Sequence, residues 1–304
     1  MRRSSLRHRI RRGLAEPYLV AREVNRTYYR YRRPNDRRGV EFFEEDWDNL
    51  LLLDACRYDM FEQRHDLPGT LEHRITRSSS TEEFLHTYVD GTDLTDTVYV
   101  TANPRIQREL PHIEVDLHDV VHVWREDGWD EEFRTVQPET VAAAAERAAE
   151  EYPNKRLLVH FLQPHYPFIG PTGRANFDVD TLALWDAFHK GEVDATDRQL
   201  WQASEENLDI AQPAVERLLS TLPGRTVVSA DHGQMLGDRA FPLPMKEYGH
   251  PTEVHTTELT KVPWLVHENG ARKHVVAEAS QGAREGTEVA ADVVTERLQQ
   301  LGYR

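Results

Sequence analysis

The chain has 304 residues, enough for one large domain or two ordinary ones, and its 39% hydrophobic content with six Trp, 11 Tyr and 10 Phe excludes a wholly disordered chain. Its one cysteine, Cys56, excludes an internal disulfide framework and every Cys-rich zinc or iron–sulfur site, so any metal must be held by Asp, Glu, His or hydroxyls. A net charge of −15 with only five Lys among 37 basic residues gives an acidic, Lys-poor surface similar to that of proteins from salt-loving archaea, which concerns solubility and leaves the partner open.

Residues 1–40 stand apart, with 13 Arg against three acidic residues. Their net of +10 leaves −25 on the remainder. This basic N-terminal appendage also carries Tyr28, Tyr29 and Tyr31, and a helix from about Ser5 to Arg26 gathers Leu6, Ile10, Leu14 and Leu19 into a stripe. The stripe either docks on the chain's own domain, the preferred expectation, or makes peripheral contact with an anionic membrane. No recognised reading motif accompanies the arginines, so no nucleic acid is expected as partner. No apolar run approaches the ~18 residues that cross a bilayer, and the N-terminus lacks a signal-peptide core. The expected address is the cytoplasm, with membrane association through residues 1–40.

From Trp47 onward short apolar runs alternate with helical stretches. Asn49 to Leu53 is continuously apolar before Asp54, as in a strand buried on both faces. Similar runs recur at Thr97 to Thr101, Arg156 to Leu162, Arg225 to Ser229 and Val262 to Val266, with a shorter one at Leu71 to Thr76. Thr81 to Tyr88, Pro138 to Glu151, Glu205 to Leu222 and Glu288 to Leu301 read as helices. Strands separated by helices predict an α/β protein, an α/β/α sandwich with a mainly parallel central sheet, over residues 41–304. Gly170 to Arg198, rich in Pro, Gly and Asp at its start, reads as an excursion over the sheet edge.

Open parallel sheets carry their functional groups beyond the carboxyl ends of the strands. After the first run comes Asp54-Ala55-Cys56-Arg57-Tyr58-Asp59, after the Arg156 run comes Gln163-Pro164-His165-Tyr166-Pro167, and after the Arg225 run comes Ala230-Asp231-His232-Gly233-Gln234. One such Asp is ordinarily a helix cap. Carboxylates and imidazoles at three strand ends point further, and Asp54, Asp231 and His232 suit one divalent cation bound by O and N, among Zn, Mn, Mg and Ca. Arg77-Ser78-Ser79-Ser80-Thr81-Glu82-Glu83 opens a helix, where Ser80 and Glu83 match a capping box. A hydroxyl at that position lies in a field that stabilises its alkoxide.

In order and spacing these pieces resemble the alkaline phosphatase superfamily, above all its sulfatase-like, single-metal branch in a haloarchaeal setting. The landmarks are Leu51 to Asp59, Thr81 to Gly91, Gln163 to Pro167, Ser229 to Gly237, Tyr248 to Pro251 and Val262 to Val266. The resemblance implies a sulfatase-like catalytic domain over 41–304, a metal held by Asp54, Asp231, His232 and the nucleophilic hydroxyl, and anion-binding or proton-transferring roles for His165 and His250. Thr81, ten residues before Gly91, ranks first as nucleophile, then Ser80, then Ser79. No C/S-x-P-x-R context for a formylglycine is present, which favours phosphoesters over sulfate esters. The implied activity is a metal-dependent hydrolase or transferase acting on a small-molecule or glycan- or lipid-linked anionic ester. The alternative is a non-catalytic scaffold on a membrane surface or glycan-assembly partner.

Arg57 either clamps a phosphoryl oxygen or pairs with Asp59 or Asp231. His255 reads as a loop histidine bonded to backbone. His112, His118 and His122 read as strand and surface, and Asn103-Pro104 as a turn at a strand end.

Overall fold

The computed structural model describes residues 17–32, 39–125, 128–177, 184–278 and 291–302. Its strands are β1 (Asn49–Leu53), β2 (Thr70–Ile75), β3 (Asp93–Thr101), β4 (Asp116–His122), β5 (Arg156–Phe161), β6 (Gly224–Ser229), β7 (Met235–Arg239), β8 (Lys246–Gly249) and β9 (Lys261–Asn269). Seven of them form one sheet in the order β2-β9-β6-β1-β5-β3-β4. β6, β1, β5, β3 and β4 run parallel, while β9 is antiparallel to both of its neighbours. The expected mainly parallel α/β/α sandwich is the observed one. β1 lies at the centre with all five residues buried, which explains why Leu50 to Leu53 are apolar without alternation, while the Asn49 amide is satisfied by Thr226 Oγ1 at 3.0 Å.

Helices cover the sheet by burying small or branched faces. Helix Pro138–Glu151 starts with Pro in its first turn and buries Val141, Ala142, Ala144, Ala145 and Ala148. Such small residues let it pack closely against the long helix Asp197–Thr221. That long helix begins eight residues earlier than the periodicity of Glu205 to Leu222 indicates. A capping box of Thr196 and Gln199 starts it, and its polar first two turns hide the helical period. Elsewhere Phe42, Phe84, Tyr88 and Trp264 form an aromatic cluster, with ring centroids 4.9–5.8 Å from Phe42, that seats the segment Thr81–Val89. Gly91, φ +70°, ends that segment in the left-handed region where a side chain is disfavoured.

Two regions differ from expectation. Within Gly170 to Arg198 lie two short helices, Pro171–Asn176 and Leu184–Lys190, and the second buries Trp185 and Phe188. β7 and β8 form a separate two-stranded sheet that the sequence did not announce.

The helix Pro17–Arg32 packs its Tyr18, Ala21 and Asn25 face onto this second sheet and the loops beside it. The Asn25 amide exchanges hydrogen bonds with the Leu243 backbone at 3.2 and 2.9 Å. Arg22 donates to Glu247, Arg26 Nε to the Thr252 carbonyl at 2.8 Å, and Arg30 pairs with Glu253. Tyr18 stacks on His189 at 4.4 Å. Docking on the chain's own domain is therefore what this helix does, though with Tyr18, Ala21 and Asn25 inward rather than through the anticipated stripe. Leu19 is half-buried, and Leu6, Ile10 and Leu14 lie outside the described residues.

Candidate active site

The central strands bring three distant stretches to one place. Asp54 follows β1, Asp231 and His232 follow β6, and Asn103 follows β3, at neighbouring carboxyl ends of the parallel sheet. Ala55 is left-handed at φ +61°, an uncommon state for a residue with a Cβ, and its N–H approaches Asp231 Oδ1 at 3.3 Å. The His232 N–H donates to the same oxygen at 2.9 Å. Two backbone donors thus fix Asp231, and its Oδ2 meets Thr81 Oγ1 at 2.8 Å and His232 Nε2 at 3.3 Å. Asp54 Oδ2 accepts from Asn103 Nδ2 at 2.8 Å, and Asp54 Oδ1 lies 3.6 Å from His232 Nε2. Asn103 accordingly does more than turn the chain.

The tautomer of His232 follows from its partners. Nδ1 lies 2.7 Å from the Gly233 carbonyl, which only accepts, so the hydrogen sits on Nδ1 and Nε2 turns its lone pair toward both carboxylates. Sequence reasoning missed a second imidazole. His160, inside β5, places Nε2 3.6 Å from Asp231 Oδ2 and 4.0 Å from Asp54 Oδ2, while Nδ1 meets the Tyr99 hydroxyl at 2.7 Å. His160 Nε2 has no hydrogen-bond partner among the described residues. Ligand atoms of Asp54, His160 and Asp231 all lie within 4.8 Å of one another. The signal was one polar side chain in the otherwise apolar run Leu157 to Phe161. Two fully buried carboxylates facing imidazole nitrogens and a hydroxyl could hold a divalent cation. Asp54, His160 and Asp231 have the spacing to share one ion, and His232 Nε2 lies beside them, 3.3 Å from Asp231 Oδ2 and 3.6 Å from Asp54 Oδ1.

The three hydroxyls before Glu82 are sorted by their bonds. Ser80 is the N-cap and accepts from the Glu83 N–H at 3.3 Å. Glu83 does not complete the capping box. Its carboxylate reaches one residue further back, accepting from Ser79 N and Oγ at 2.8 and 2.7 Å, and takes His255 on its other oxygen at 2.7 Å. His255 is thus held by a carboxylate and not by backbone. Ser79 and Ser80 hold the turn, and Thr81, 1% exposed, is the hydroxyl that faces Asp231.

His165 and His250 lie beside this centre, joined through their Nε2 atoms at 2.8 Å, with the His250 ring 4.8 Å from that of His232. Asn207, on the long helix, carries its Nδ2 to the carbonyls of His165 and Pro167 at 3.0 and 2.9 Å, so the loop bearing His165 is clamped. His165 Nδ1 bonds the Tyr166 carbonyl and must carry the hydrogen there. It follows that His250 donates from Nε2 and keeps an accepting lone pair on Nδ1.

Burial pushes the His165 pKa down to about 4, and it pushes His250 well below its ordinary value. Both are neutral at pH 7. Burial also lowers His122, to about 3. Between those values and the ordinary ~6.5 the unfolded chain binds protons that the folded chain refuses. The stabilisation is complete above about pH 6.5 and is lost as the pH falls toward 3. Thermal unfolding of the full chain should give a lower Tm at pH 4.5 than at pH 7, and a Tm that is flat or rising on acidification would contradict the neutral assignment.

Arg57 takes the ion-pair course weighed for it in place of the clamp. Its guanidinium holds Asp59 at 2.9 and 2.7 Å, Asp238 at 2.6 Å and the Gln234 carbonyl at 3.1 Å. Other arginines approach the site. A cleft of about 240 Å³ leads to Ser80 and His250, and Arg22, Arg26, Arg105 and Trp185 are in its wall. The first two come from the N-terminal helix, more than 200 residues from His250 in sequence.

No family model and no curated protein matches the chain. Solved structures do. The C-terminal periplasmic domain of EptC from Escherichia coli, in complex with Zn, is 13% identical over 77% of this chain and 75% of its own, with a TM-score of 0.48. The phosphonate monoester hydrolase from Silicibacter pomeroyi is 12% identical over 86% of this chain and 74% of its own, with a TM-score of 0.45. The lipoteichoic acid synthase LtaP from Listeria monocytogenes is 12% identical over 85% and 72%, with a TM-score of 0.42. All three are distant likenesses.

Proposed function

We propose that the chain is a metal-dependent hydrolase or transferase of the alkaline phosphatase superfamily that acts on phosphate esters through Thr81. The observation that carries this reading is the 2.8 Å bond from Thr81 Oγ1 to Asp231 Oδ2, in a buried group that also contains Asp54, His160 and His232. One divalent ion, Zn, Mn, Mg or Ca, when bound there supplies Lewis-acid activation of the hydroxyl and screens phosphoryl charge. Thr81 Oγ1 attacks phosphorus as its proton passes to Asp231, and the bond to the leaving oxygen breaks, that oxygen departing as an anion that takes a proton from solvent; when the phosphothreonine is later cleaved, Thr81 recovers its proton from Asp231. Asn103 keeps Asp54 oriented throughout. His250 Nδ1 then accepts the proton of the water or alcohol that releases the phosphothreonine. The lack of a formylglycine context supports phosphate over sulfate.

Peripheral attachment to an anionic surface completes the reading. Opposite its docked face, the N-terminal helix leaves Val20, Val24 and Tyr31 exposed, and Phe241, also exposed, meets Tyr28 at 5.0 Å. With the +10 of residues 1–40, this face suits a small-molecule or glycan- or lipid-linked anionic ester presented at a membrane. None of the described helices is long and apolar enough to cross one.

The test is to incubate the full chain, metal-loaded and at high salt, with aryl phosphate monoesters, diesters and sulfates, quench in acid and sequence the labelled peptide. Phosphate on Thr81 is expected. Label on Ser80 or Ser79 moves the nucleophile, and metal-loaded protein that turns over none of the esters leaves the scaffold alternative.

A further inference from the structure

We propose that the cleft outside Thr81 contains a second anion-binding position, made by Arg26 of the N-terminal helix and the indole N–H of Trp185, which takes a phosphate group of the substrate other than the one attacked. It rests on the phosphoester reading for what is attacked, not for what is bound here.

Arg26 sits at the rim of the site. Its Nε donates to the Thr252 carbonyl at 2.8 Å, Thr252 Oγ1 lies 3.2 Å from Ser80 Oγ, and Ser80 adjoins Thr81. The carboxylate paired with Arg26 is Glu23, at 3.7 Å, three residues earlier on the same helix and 62% exposed, which neutralises little. The neighbouring arginines are committed elsewhere. Arg22 is held by Glu247 and His189, and Arg105 by Glu82 and by Glu109 at 3.0 Å. Glu82 and Asp186 are the acidic residues of the wall, and Arg105 offsets the first.

Trp185 supplies the independent observation. It is 9% exposed, it lines the cleft, and its Nε1 has no hydrogen-bond partner among the described residues. Buried indole N–H groups are ordinarily paired, and this group can only donate, so its complement is an acceptor oxygen. Gly249, φ +76°, admits the ring: a Cβ there would stand 2.7 Å from it. A cation in the cleft wall and an unpaired donor on another residue of the same wall, beside the hydroxyl proposed to attack phosphorus, fit a second phosphate. At about 240 Å³ the space is below the roughly 300 Å³ at which small-molecule pockets begin, so it suits a headgroup-sized piece of a larger substrate.

The experiment measures binding without turnover. Calorimetry on the full, metal-loaded chain compares benzylphosphonate, with one anionic group, against 1,4-phenylenebis(methylene)diphosphonate, with two. The diphosphonate should bind about tenfold more tightly, and Arg26→Gln or Trp185→Phe, which keeps an aromatic ring, should each remove most of that advantage. Equal affinities in the wild type, or an advantage that survives in both variants, would overturn the proposal. An Arg26-dependent advantage in a protein that hydrolyses no ester would keep this position and overturn the phosphoester chemistry. Turnover without the advantage would do the reverse.

Discussion

Replacing Thr81 by Ala should lower turnover of an aryl phosphate by about 10³-fold or more while changing stability by no more than about 1–2 kcal/mol. The two effects separate because the helix start does not depend on Thr81. Ser80 is the cap, and it keeps the Glu83 N–H whatever stands at 81. Thr81 contributes one hydroxyl, donated to Asp231 Oδ2, and its loss removes the atom proposed to attack. Ser80→Ala should show the opposite signature. Loss of the cap costs about 0.5–2 kcal/mol, visible in urea unfolding, and turnover should fall far less than in Thr81→Ala. The reversed pattern, with Ser80→Ala inactive and Thr81→Ala active, would transfer the nucleophile to Ser80.

Asp231→Asn should be as severe, through the ion. Asp231 is wholly buried, accepts backbone donors from Ala55 and His232 on Oδ1, and accepts Thr81 on Oδ2. An asparagine of the same shape must turn its NH2 either to those N–H donors or to the hydroxyl, and it brings no charge. Elemental analysis after gel filtration should find about one divalent metal per wild-type chain and little in the variant, since even changes behind the ligands weaken metal binding by about 10–100-fold. Two metals per wild-type chain would sink the single-ion site. Comparing His232→Ala with His160→Gln on the same assay decides which imidazole is the ligand, and the larger loss is expected for His232.

How much of this was readable beforehand depends on where the determining contacts lie. Leu51 to Leu53 followed by Asp54, and Val227 to Ser229 followed by Asp231, could be read because a centrally buried parallel strand is mostly apolar and its end is where carboxylates and imidazoles gather. His160 escaped for the same reason reversed. One imidazole within a buried run looks like a satisfied core residue until the registers of β1 and β6 bring Asp54 and Asp231 beside it. Arg57 was ambiguous because its partner Asp238 lies 181 residues away on a sheet with no sequence signal of its own. The N-terminal helix was read from an apolar stripe and set apart by its charge, and neither reveals that Arg22 and Arg26 line the cleft.

That helix also orders events in time. Its bonds to Leu243, Glu247, Thr252 and Glu253 span 218 to 226 residues of chain. At about 5–20 residues per second, ribosomes need roughly 10 to 45 seconds to make that length. Throughout that interval the helix lacks its partners at Leu243, Glu247, Thr252 and Glu253. It can meet other anionic surfaces before it meets its own docking sheet, and the cleft it walls is among the last parts of the molecule to be assembled.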